Sequence, residues 1–143
     1  QDGFEVMAPA GNKQERERAT RILGGRRGLL DQLSLGGLMS EMQRCAGAVA
    51  VDTGLGHLAP ALGVPVVGLF GSTNPKLTGI LGPQSQSIAS NHLPCIPCRK
   101  RECQFQKSSD SSNIYPPCFE QTSPETVWQT LRLRLSSKDI KPN

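Results

Sequence analysis

Six consecutive residues gather most of the site chemistry near the middle of this chain. Asp52-Thr53-Gly54-Leu55-Gly56-His57 follows the apolar run Ala46-Gly-Ala-Val-Ala-Val51 and places a carboxylate, a hydroxyl, two glycines and an imidazole side by side. An unbroken apolar run of this kind reads as a parallel strand covered on both faces, and ligands of open α/β sheets bind at the carboxyl ends of such strands. The free N–H groups of residues 53 to 56 and the positive end of the helix that follows suit a phosphate, and glycine lets an anion approach the main chain. His57 can donate to the same anion. Asp52 repels a phosphate and suits hydroxyl donors instead, as on a sugar. The plainer alternative makes Asp52 or Thr53 a helix N-cap and leaves His57 on the surface.

The charge pattern agrees with an anionic ligand. From Thr53 through Arg101 there is no Asp or Glu, whereas Lys76, Arg99, Lys100 and Arg101 fall in that interval. A site built there is electropositive, although basic residues in loops are more often simply solvated. The whole chain carries 16 Lys and Arg against 12 Asp and Glu, a net charge of +4, which falls short of a nucleic-acid signature. No nucleic-acid partner is expected.

Three other motifs compete for attention. Gly54-Leu-Gly56-His-Leu-Ala59 fits the dinucleotide fingerprint, but that fingerprint needs an acid at the end of the next strand, and this one ends Phe70-Gly71-Ser72. Asp-Thr-Gly is also the aspartic-protease triplet, yet that architecture is all-β and the residues after Asp52 read as helix. Cys95, Cys98, Cys103 and Cys118 lie in one basic loop region and could supply four thiolates to Zn²⁺; with a single C-x-x-C and four prolines nearby, reduced thiols without metal are favoured. Cys45 reads as a small apolar filler, and His92, with no partner pattern, is expected to be exposed.

The elements that must position these groups alternate. Phe4 to Ala8 is strand-like, Pro9-Ala-Gly11 a turn, and Lys13 to Leu23 a helix stopped by Gly24-Gly25. Leu29 to Leu33 reads as a short strand, and Ser34 as the cap of a helix reaching about Cys45, with Leu35, Leu38, Met39 and Met42 as a buried stripe. After the central strand come a helix over Leu55 to Leu62 and a second strand, Pro65 to Phe70, which together imply a βαβ crossover and a parallel sheet. Residues 71 to 123 read as loop, with one strand at Ser87 to Ser90 and a polar surface loop at Ser108 to Asn113. Ser123, Pro124 and Glu125 open a last helix, 123–135, docked by Val127, Trp128, Leu131 and Leu135.

At 143 residues the chain has the length of one domain and is too short for two full α/β domains. It begins with Gln1, which suggests a piece of a longer reading frame. No stretch approaches the ~18–20 apolar residues of a membrane span, and five cysteines without a secretory signal point to the cytoplasm.

The run Val51-Asp-Thr-Gly-Leu-Gly-His-Leu-Ala-Pro-Ala-Leu-Gly-Val-Pro-Val-Val-Gly-Leu-Phe-Gly-Ser-Thr-Asn-Pro75 resembles the signature of the lipopolysaccharide heptosyltransferases, the ADP-heptose glycosyltransferases of family 9. The resemblance extends upstream to Gly11-Asn-Lys-Gln-Glu15, through Leu33-Ser-Leu, and downstream to Pro94-Cys-x-x-Cys-x4-Cys and Cys118-Phe-Glu. It implies a Rossmann-like parallel sheet with flanking helices: residues 1–143 as part of the C-terminal, donor-binding half of a GT-B fold, without its first βα unit and with a Cys-rich loop at 94–118. It implies that Asp52 contacts heptose hydroxyls, that Thr53, Gly54 and His57 lie at the diphosphate and sugar, that Glu15 grips the ribose, and that Leu33 sits near the adenine. The implied donor is ADP-heptose or a related sugar nucleotide, and the implied acceptor is lipid A bearing Kdo, held by an N-terminal domain outside this chain that also carries the general base. Peripheral contact with the inner membrane follows from that acceptor, and no cofactor is expected. Three features depart from the pattern: Pro60 where Ala is usual, Gly36-Gly37, which weakens a helix by about 1 kcal/mol per glycine, and a loop from Cys103 to Cys118 longer than expected. They leave open a second reading, an inactive sugar-nucleotide-binding module, and the cysteines a third, a small zinc-binding interaction domain.

Overall fold

The computed structural model describes residues 3–98, 100, 102–105 and 114–136; Arg99, Arg101 and the polar stretch Ser108 to Asn113 lie outside them. The chain divides into two compact units, residues 1–44 and 45–143.

The first unit holds β1 (Ala8–Ala10), α1 (Lys13–Leu23), β2 (Leu29–Asp31) and α2 (Leu35–Arg44). Strands β1 and β2 pair in parallel, with Ala8 opposite Leu29 and Ala10 opposite Asp31. Helix α1 starts where the sequence places it because Asn12 caps it: its Oδ1 accepts the Glu15 N–H at 2.9 Å, and Glu15 Oε2 accepts the Gly11 N–H at 2.7 Å. Gly24, in the left-handed conformation with φ of 56°, ends it. Arg16 on α1 pairs with Asp31 on β2. The core of this unit is thin, made of Ala8, Ala10, Ala19 and Leu23.

Two expectations for this unit are corrected. The first strand is not Phe4 to Ala8: it begins at Ala8, and Phe4 and Val6 are exposed. The stripe on α2 is not core, since Leu35 is 64 % exposed and no residue of that helix is fully buried. Amphipathic spacing marks the face that can be covered, not one that its own unit covers. The cap is as expected, with Ser34 Oγ accepting the Gly37 N–H at 3.2 Å.

The second unit holds β3 (Ala48–Val51), α3 (Gly54–Ala61), β4 (Val66–Phe70), α4 (Pro75–Thr78), β5 (Ser85–Ala89), a single 3₁₀ turn (Pro117–Phe119) and α5 (Pro124–Ser136). Its sheet has the order β3-β4-β5, all parallel, with Val51 opposite Leu69 and Phe70 opposite Ala89. Strand β4 is central and the most deeply buried: Val66, Val67 and Phe70 are 0–1 % exposed. Strand β3 lies at the end of the order, and Val49 and Val51 are each 48 % exposed, so it is not covered on both faces as its apolar run suggests.

Glycines set how closely the helices approach. A Cβ on Gly56 would stand 3.0 Å from the Val51 carbonyl and 3.1 Å from Ala50 Cβ, so α3 begins almost in contact with β3. A Cβ on Gly47 would meet Leu135 at 2.9 Å and Leu131 at 3.0 Å, two side chains of α5. Helix α5 opens as expected, with Ser123 Oγ accepting the Thr126 N–H at 3.1 Å, and its Arg134 reaches Gln86 of β5 at 2.6 Å. Strand, helix and parallel strand alternate throughout: the architecture is α/β and Rossmann-like.

Candidate functional site

Strand β3 ends at Val51 and α3 begins at Gly54, so Asp52 and Thr53 occupy the turn at the carboxyl end of a parallel strand. Thr53 is the N-cap in extended backbone; its Oγ1 accepts the Gly56 N–H at 3.4 Å and donates to the Val51 carbonyl at 3.3 Å. Gly54 has nothing within 4 Å of where a Cβ would lie, whereas Gly56 is filled from behind by the strand. The two glycines therefore differ: Gly54 leaves open space in front of the helix start, and Gly56 serves packing. Pro60 lies inside α3 and lacks the N–H that would bond back to the first turn.

Asp52 is held from two directions. Its Oδ1 stands 3.2 Å from His57 Nε2, and its Oδ2 accepts the hydroxyl of Thr78, 26 residues further along, at 2.8 Å. Thr73 bonds the same carboxylate. Partial burial works to raise the pKa of Asp52; the hydrogen bonds from Thr73, Thr78 and His57, with the positive charge His57 can carry, outweigh it and hold the carboxyl below its ordinary range. Asp52 is thus an ionised acceptor. His57 and Thr78 also line a shallow, mainly apolar depression of about 560 Å³ with Pro60, Leu77 and Leu81.

Of the residues singled out in sequence, Asp52, Thr53, Gly54 and His57 come together around the start of α3. Glu15 and Leu33 belong to the other unit: Glu15 closes the α1 cap, and Leu33, after β2, is 43 % exposed. Thr73 and Thr78 went unnoticed because residues 71 to 123 read as loop; the signal was Asn74-Pro75, a cap followed by a first-turn proline, and Asn74 Oδ1 does accept the Lys76 N–H at 3.0 Å. The strand expected at Ser87 to Ser90 instead spans Ser85–Ala89.

Cys95, Cys98, Cys103 and Cys118 line a second cavity, also about 560 Å³, and all are free thiols. The region is fixed to the end of β4 by the Cys98 N–H, which donates to the Ser72 carbonyl at 3.0 Å, and by Cys118, whose Sγ would stand 2.7 Å from a Cβ on Gly71. Burial pushes the Cys118 thiol up against an opposing backbone hydrogen bond, and the three other cysteines add to the rise. Among the described residues no group of three or more His, Cys, Asp or Glu is placed to hold a metal ion. His92 is a further correction: it is half-buried, and neither ring nitrogen has a hydrogen-bond partner.

The sequence pattern of glycosyltransferase family 9 (heptosyltransferase) matches residues 1–109. The chain belongs to that family. It is 40% identical over 141 residues to lipopolysaccharide heptosyltransferase 1 of Pseudomonas aeruginosa, an alignment that takes in 93% of this chain and 39% of the relative. The enzyme of the same name from Escherichia coli K12 is 37% identical over 82 residues, covering 56% of this chain and 26% of that one. Among solved structures, E. coli heptosyltransferase WaaC with ADP superposes with a TM-score of 0.59 at 33% identity, over 62% of this chain and 28% of that one. The chain spans about two fifths of the Pseudomonas relative's length. It is a heptosyltransferase-like glycosyltransferase domain, and its parallel sheets with flanking helices are those of the family. No helix among the described residues is long and apolar enough to cross a membrane.

Proposed function

We propose that this chain holds the sugar nucleotide donor of a heptosyltransferase, with ADP-heptose at the turn between β3 and α3. The observation that carries the reading is the Asp52 carboxylate, kept ionised and hydrogen-bonded beside a helix start whose Gly54 side is open. The first N–H groups of α3 precede its internal ladder and meet the diphosphate, and Asp52 accepts from heptose hydroxyls. His57, against Asp52, donates to the same ligand. Glu15 is assigned to the ribose and Leu33 to the adenine, on the family resemblance alone. In transfer, an acceptor hydroxyl attacks the anomeric carbon with inversion; the carbon–oxygen bond to ADP breaks, and the departing diphosphate takes the electron pair. Negative charge then grows next to the start of α3, where the dipole favours it most.

The general base and the lipid A–Kdo acceptor site are assigned to the part of the family's fold outside this segment. The location that fits this chemistry is the cytoplasm, at the inner face of the membrane. The test is calorimetry with ADP-heptose and ADP on wild type and Asp52→Asn. Tighter binding of ADP-heptose than of ADP, lost in the variant, supports the reading; equal binding of the two ligands by wild type rejects it.

A further inference from the structure

We propose that Thr78 is the positioning residue of this site, aiming the Asp52 carboxylate at the donor sugar; this rests on the sugar-nucleotide reading above. An aspartate at the end of a strand is free to turn about two side-chain bonds, and a carboxylate that must accept from particular hydroxyls has to stop turning. Asp52 is stopped at both oxygens, by His57 five residues on at Oδ1 and by Thr78 at Oδ2. His57 comes from the helix that Asp52 itself introduces, so it moves with the turn. Thr78 comes from a separate element and supplies an independent anchor.

The surroundings of Thr78 suit that task. Helix α4 is four residues long and buries none of them, so the core does not require it. It is nonetheless closely specified: Asn74 caps it, Pro75 opens it, and a Cβ on Gly79 would collide with the Pro75 carbonyl, which fixes the backbone just past Thr78. The Thr78 hydroxyl has one proton and two acceptors within reach, the Asn74 carbonyl at 3.4 Å and the Asp52 carboxylate at 2.8 Å. The nearer, charged acceptor takes it. With His57, Thr78 and Thr73 as partners, the carboxylate, which can accept about four hydrogen bonds, keeps acceptor capacity for a ligand hydroxyl. Among the described residues the titratable group facing Asp52 is His57; the 71–74 loop and α4 offer it the hydroxyls of Thr73 and Thr78.

The experiment compares wild type, Thr78→Val and Thr78→Ser. The carboxyl titration of Asp52 is followed by carbon-13 NMR, and affinities for ADP-heptose and ADP are measured in parallel; unchanged β4 amide shifts report an intact fold. In Thr78→Val the Asp52 midpoint is expected to rise, as one of its hydrogen bonds is lost. ADP-heptose is expected to bind about 10-fold more weakly while ADP alone is unaffected, with serine restoring both. An unmoved midpoint, or serine failing to restore it, overturns the assignment. If the midpoint moves as expected but wild type binds ADP-heptose no better than ADP, the anchor stands and the sugar-nucleotide reading falls.

Discussion

A carboxylate beside a phosphate site is useful only while it stays charged and stays put. Among the described residues Asp52 meets both conditions through neutral hydroxyls and one imidazole, without an ion pair to a lysine or arginine. Its folded-state value lies below the ordinary 3.8, so its contribution to stability is present above that pH and is lost as the pH falls through the lowered value. The stability gap between wild type and Asp52→Asn, measured by urea denaturation, is therefore expected to close as the pH falls through that lowered value. At neutral pH the same substitution should weaken ADP-heptose binding by roughly 10- to 100-fold, the range for a hydrogen bond to a charged group, as read by calorimetry. Asp52, Thr53 and His57 were legible in the sequence because they are neighbours in it. Thr78 was not, because a contact across 26 residues leaves no local pattern.

Elements whose ends carry chemical punctuation were the legible ones. Helix α1 was placed at Lys13–Leu23 with Gly24 marking its end, and α5 within one residue at each end with Ser123 and Pro124 marking its start. Asn12→Ala is expected to cost about 1 kcal/mol in chemical denaturation, the usual value of an N-cap, with α1 fraying first. Strand ends were less legible, since apolar runs do not say which of their residues find a partner; the first strand moved from Phe4 to Ala8 for that reason. At β4 the decisive residue has no side chain. A Cβ on Gly68 would run into Ile80 and approach the Phe70 ring to 3.0 Å. Gly68→Ala should thus destabilise by about 1–3 kcal/mol, and adding Ile80→Val, which removes the offending methyl, should recover part of it in a double-mutant cycle.

Across the whole molecule, burial is unevenly shared. Residues 1–44 rest on three alanines and one leucine, whereas the later unit is built around Val66, Val67 and Phe70 on a central strand. Small side chains remove little apolar surface from water, so backbone amides of β1 and β2 are expected to exchange with deuterium much faster than those of β4, as mass spectrometry of peptic fragments would show. Composition and motifs announced an α/β chain, but could not reveal this imbalance, which depends on which stripes find cover. Strand β3, outermost in its sheet and bearing the half-bare Val49 and Val51, carries a last consequence. Among the described residues no strand pairs with its outer side; an unpaired ladder is a template, and the most abundant extended peptide near a concentrated sample is another molecule of the same kind. The purified 143-residue segment should accordingly scatter more light per unit mass as its concentration rises, and a gatekeeping lysine in place of Val49 should flatten that slope.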